Sequence, residues 1–97
     1  MNLGTAIKTI RKQKGLRQNS FATMCDITQA YLSQIENNLK EPNISILKKI
    51  SENLNIPLPI LFFMSLEVDD LEPEKKEAFK VVEPTFKILL EQIISNN

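Results

Sequence analysis

Histidine and tryptophan are missing from this 97-residue chain, which also has one cysteine, two glycines and no excess charge of either sign. With Cys25 alone no intramolecular disulfide can form, and without histidine no Cys/His metal centre can be assembled. Glycine-rich phosphate loops are absent as well. The carboxylates are scattered rather than paired, so no catalytic constellation is visible: no catalytic residue, metal site or cofactor is expected, and the chain does not read as an enzyme. Long apolar runs are lacking too. The segment 56–64 carries Pro57 and Pro59 and is far shorter than the about 20 residues that span a bilayer, so no membrane partner is expected. No charged-then-apolar leader opens the chain, which makes the cytoplasm the expected location.

What is present, 42% hydrophobic and 25% charged residues, suits one helical domain with an appendage. The strongest local pattern is Leu16–Asn38, LRQNSFATMCDITQAYLSQIENN. It reads as two short helices joined by a tight turn, the arrangement of a DNA-reading helix-turn-helix. The first would run from Gln18 to Cys25 with Phe21, Ala22 and Cys25 facing inward. Asp26 sits at the turn, Ile27 is a plug, and Thr28 is a good N-cap for the second helix. From Gln29 to Glu36, Leu32 and Ile35 point into the core with Tyr31 at its edge. Asn37 and Asn38 suit a helix end, since Asn tolerates the left-handed conformation.

This pattern leaves Gln29, Ala30, Ser33 and Gln34 on the outer face. A glutamine amide donates and accepts together and so matches adenine N6 and N7. An alanine methyl matches a thymine methyl, and a short serine allows close approach. Charge points the same way. Residues 1–53 hold eight Lys or Arg against four acids, and residues 54–97 reverse those numbers. The basic half is the helix-turn-helix half, the right sign for phosphate contacts. The excess is modest, which argues for two copies acting on two half-sites.

The flanking segments complete a scaffold. Gly4–Gln13 places Ile7 and Ile10 on one face, and Gly15 is a natural stop. Asn43 caps a further helix that buries Ile46 or Leu47, Ile50 and Leu54. Pro57 and Pro59 permit a short helix on which Leu58, Leu61 and Phe62 would close the core.

Residues 3–63 resemble the lambda-repressor/Cro-type, or Xre, helix-turn-helix family through five consecutive parts: IKTIRKQKGL, RQNSFATMCDI, TQAYLSQIENN, PNISILKKISENLNI and PLPILFF. The resemblance implies an all-α, five-helix DNA-binding domain over residues 1–66. It implies that Gln29, Ala30, Ser33 and Gln34 read bases, that Gln18 binds a phosphate, and that Arg17, Asn37 and Lys40 approach the sugar-phosphate backbone. It further implies an internal salt bridge between Arg11 and Glu36. Three positions depart from the family pattern: Asp26 and Asn38 stand where glycine is usual, and Arg17 replaces a hydroxyl cap. The turn should survive these changes, because Asp can adopt the left-handed conformation at modest cost.

Residues 67–72 form an acidic linker, and 73–97 a helical tail. In the tail Phe79, Val82, Phe86, Leu89 and Ile93 recur at alternating spacings of three and four, widened by Leu90 and Ile94; this is a packing seam. Pro84 should kink or divide the helix near Glu83. The tail either folds back on the head or pairs with a second copy. Self-pairing is the expectation, with Phe79, Val82, Phe86, Leu89, Leu90 and Ile93 as the dimer seam. The expected function is a homodimeric, sequence-specific repressor bound to an inverted repeat in double-stranded DNA, without a small-molecule ligand. The rival from another class is an antitoxin-like module whose tail binds a partner protein.

Overall fold

Caps and left-handed residues decide where the helices of this chain begin and end. The computed structural model describes residues 2–67 and 70–95; the side chains of Leu90 and of residues 93–95 lie outside that description. Six helices follow in order: α1 Leu3–Gln13, α2 Gln18–Met24, α3 Gln29–Glu36, α4 Ile44–Leu54, α5 Leu58–Ser65 and α6 Pro73–Ser95. No strand occurs among the described residues, so the chain is all-α as expected. Gly15, Asp26, Asn38 and Asn55 all take positive φ, between 57° and 72°, after helices α1 to α4. Asp26 therefore does replace glycine at the turn. Thr28 accepts a hydrogen bond from the Tyr31 amide and Asn43 from the Ile46 amide, fixing the starts of α3 and α4.

The core lies where α1 to α5 meet. Ile7, Ile10, Phe21, Leu32, Ile50, Leu54 and Leu61 are fully enclosed, with Ala22, Cys25 and Ile35 beside them. On α4 Leu47 is buried and Ile46 only half-buried, which settles the choice the periodicity left open. On α5 Leu61 closes the core, while Leu58 and Phe62 lean on it half-exposed. Their helix is apolar on every side, so its sequence does not mark which face turns inward.

α1 crosses α3 so closely at Gly4 that a Cβ there would collide with the Ile35 carbonyl oxygen. Asn38, just past α3, secures the crossing. Its Oδ1 accepts from the Gly4 amide at 3.1 Å, and its Nδ2 donates to Asn2 Oδ1 at 2.8 Å and Thr5 Oγ1 at 3.3 Å. The two ends of the five-helix head also meet, the Asn2 amide donating to the Ser65 carbonyl at 2.8 Å.

Two features mark the tail. α6 runs unbroken through Pro84 rather than dividing at Glu83. Phe79, before the proline, and Phe86, after it, both lie on the Phe63 ring of α5, with centroids 5.9 Å and 3.6 Å away. One ring thus holds both halves of α6, and a Lys87–Glu83 ion pair of 3.1 Å spans the proline turn. The aromatic part of the seam is folded onto the head. Its aliphatic part is not: Val82 and Leu89 stay about half exposed, beside Val81 and Ile88. The side chains of Leu90 and Ile93, the remaining members of the expected dimer seam, fall outside the described residues.

Candidate nucleic-acid interface

The α2–turn–α3 unit presents one polar face, and its orientation follows from the core. Burial of Leu32 and Ile35 fixes the rotation of α3 about its axis. At helical spacing this leaves Gln29 and Ala30 exposed and Ser33 and Gln34 half-buried on the outer side. Residues 29, 30, 33 and 34 are thereby brought together as the sequence pattern requires. Asn37 joins them, its Nδ2 donating to Ser33 Oγ at 3.3 Å. Arg17 and Lys40 are exposed, on the segments entering α2 and leaving α3, and the Lys40 amide donates to the Gln34 carbonyl at 3.2 Å. Arg17 provides no side-chain cap for α2.

Beneath this face runs a chain of hydrogen bonds that starts in the interior. Arg11 Nε and Nη2 donate to Glu36 Oε2 and Oε1 at 2.7 and 3.0 Å, and Nη1 donates to the Leu16 carbonyl at 2.8 Å. The two side chains are 7% and 1% exposed, so the pair is buried and bidentate, as the family resemblance implied. Glu36 Oε1 also accepts from Gln18 Nε2 at 3.0 Å, and Gln18 Oε1 accepts from Gln29 Nε2 at 3.3 Å. Among the described residues no buried side-chain nitrogen or oxygen lacks a partner. A buried pair this well satisfied holds its position, and it carries Gln18 and Gln29 with it.

Cys25 is the buried titratable group of the turn. Burial pushes its thiol up to about 11, outweighing the opposing pull of Lys49 and of a hydrogen bond with Asn53. The thiol is therefore protonated at neutral pH and unreactive. Burial lowers the Lys14 ammonium from its ordinary value. Lys49 lies 3.7 Å from the exposed Asp26 carboxylate, an ion pair open to solvent and weak for that reason.

Sequence reasoning did not find the Asn38 clamp or the contact between Gly4 and α3. A signal existed: Gly4 is one of two glycines in the chain and sits inside a helix, where glycine is unfavourable unless something packs against its bare Cα.

Comparison with known proteins bears on the fold of the head. The helix-turn-helix family HTH_3 is matched over residues 7–61, from within α1 to within α5, leaving α6 outside the match. The control protein C.MunI of Mycoplasma sp is 40% identical over 63 residues, 64% of this chain and 85% of that protein. The ImmF control region 10 kDa protein of Bacillus phage phi105 is 35% identical over 66 residues, 68% of this chain and 73% of its own length. The transcriptional regulator SinR of Bacillus subtilis is 37% identical over 60 residues, 61% of this chain, which spans only 54% of SinR. No solved structure matches the chain at the same level of significance. A shared helix-turn-helix head, matched over more than half of its length, makes this chain a member of the lambda-repressor-type (Xre) helix-turn-helix family of DNA-binding transcriptional regulators.

Proposed function

We propose that this protein is a homodimeric repressor that reads an inverted repeat through the major groove. The observation that carries the reading is the outer face of α3, where Gln29, Ala30, Ser33 and Gln34 stand together above a buried ion pair. Gln29 bonds an adenine edge, Ala30 meets a thymine methyl, and Ser33 and Gln34 make short polar contacts to bases. Gln18, Arg17, Asn37 and Lys40 position the head on the sugar-phosphate backbone. The exposed Val82 and Leu89 support pairing of two copies through α6, with Phe79 and Phe86 at its base. A twofold dimer sets two copies of α3 about one DNA turn, roughly 34 Å, apart.

Selection of bound sites from random duplex DNA, combined with the mass of the complex, tests this. The expected result is an inverted repeat held by two copies. In the same assay Gln29→Ala weakens binding to the selected site by about 1–3 kcal/mol and leaves non-specific binding unchanged. Equal loss on both DNAs would remove Gln29 from the reading surface, and a single copy on an asymmetric site would remove the dimer.

A further inference from the structure

Taking Gln29 as a base-contacting residue, we infer that the buried Arg11–Glu36 pair sets which base Gln29 accepts. It holds two glutamine amides in one orientation and so favours adenine over guanine. A carboxylate can only accept hydrogen bonds, whereas an amide has one accepting and one donating end. Glu36 Oε1 faces Gln18, so Gln18 must turn its NH2 group toward it. That leaves Gln18 Oε1 for Gln29, which answers with its own NH2. Arg11, anchored on the Leu16 carbonyl, prevents the carboxylate from swinging away.

The consequence appears at the exposed end. One amide hydrogen of Gln29 is engaged by Gln18, and the second hydrogen and Oε1 remain on the outer face. One donor beside one acceptor complements adenine, which shows N7 as acceptor and N6–H2 as donor. A reversed Gln29 would turn both amide hydrogens outward, the complement of guanine N7 and O6. Reversal is blocked in two steps. Turned alone, Gln29 sets its oxygen against that of Gln18; if Gln18 turns as well, its oxygen meets the carboxylate of Glu36. Glu36 touches no DNA in this scheme and acts as a positioning residue.

The test uses the full chain and the site recovered from random DNA, with each of the four base pairs placed in turn at every position. Dissociation constants are read at one fixed salt concentration, and thermal melts establish that each variant is folded. Gln29→Ala should flatten the preference at one A·T pair, which a bidentate contact sets at about 5- to 150-fold. At that same pair Gln18→Leu and Glu36→Gln should each cut the adenine-to-guanine ratio by about fivefold or more, with ratios elsewhere unchanged. Adding Gln18→Leu to Gln29→Ala should change the ratio no further. Gln18→Leu leaves the Arg11–Glu36 pair in place, so it decides the matter even where Glu36→Gln fails to fold. A Gln18→Leu protein that binds every duplex more weakly by one common factor, with the ratio intact, overturns the relay. Were Gln29→Ala to alter no position, base reading by Gln29 itself would be refuted, a different and separately visible result.

Discussion

Replacing Arg11 by methionine keeps the aliphatic stem and removes the charge, so it isolates what the guanidinium does inside the head. Arg11 supplies two of the three hydrogen bonds that Glu36 receives, and the Glu36 side chain is only 1% exposed. The variant therefore leaves a carboxylate away from water with the Gln18 amide as its one remaining donor. Breaking a buried pair in this manner costs about 3–5 kcal/mol. A head of this length has a total stability of roughly 3–10 kcal/mol, so the loss removes a large part of it. The midpoint of thermal unfolding should fall by roughly 12–40 °C. Urea denaturation followed by circular dichroism measures the change directly. The companion variant is Arg11→Met with Glu36→Leu, which removes both charges and leaves Gln18, itself half-exposed, to water. Its stability should return to within about 1 kcal/mol of the parent or exceed it. A single variant that loses less than about 1 kcal/mol, or a double variant no more stable than the single, would refute this account of the pair.

Three further outcomes follow from the same structure. The two non-glycine residues in left-handed conformation beside α2 and α3 should respond oppositely to glycine: Asp26→Gly gains up to about 1 kcal/mol, because its side chain makes only a solvent-exposed ion pair. Asn38→Gly loses about 1–3 kcal/mol, because Oδ1 is the acceptor for the Gly4 amide; chemical denaturation of both variants compares them, and a shared sign would refute the clamp. At Cys25 the folded thiol titrates near 11 while the unfolded one titrates near its ordinary 9.0. The stability this raised value contributes is intact below pH 9 and is lost as pH climbs toward 11, by roughly 2–3 kcal/mol; Cys25→Ala should flatten that part of the pH curve, and an unchanged slope would count against it. Phe63→Ala removes the ring on which Phe79 and Phe86 rest, so α6 should come away from the head and be cut first in limited proteolysis, with the head left intact; an unchanged cleavage pattern would show that α6 is held by something else.

The helix boundaries of the head were legible in the sequence because their causes are local. Thr28 and Asn43 cap by reaching three residues ahead, and the apolar spacing of α1 and α3 names the buried face without knowledge of any neighbour. The outer face of α3 was readable for the same reason, since it is what burial of Leu32 and Ile35 leaves over. Contacts between helices were less so. The Arg11–Glu36 pair came from the family resemblance, but its extension to Gln18 and Gln29 depends on how three helices cross. Gly4 is required by a carbonyl thirty-one positions away, and only the oddity of a glycine within a helix hinted at it. In the tail the three-four spacing announced a seam without naming what it meets. Phe63, two residues beyond the family match, proved to be the surface that takes the aromatic half. Pro84 was expected to kink or divide α6; it does not divide the helix, and one ring lies against residues on both sides of it.

The hydrogen bond between Asn2 and Ser65 has a consequence for how such a head can be rewired. Because the polypeptide enters and leaves at neighbouring points, a short peptide joining those points would close the head into a ring without stretching it. New termini could then be opened in the exposed stretch Leu39–Glu41, between α3 and α4. A circular permutant made this way should retain its helical content and melt cooperatively, with α6 dispensed with altogether.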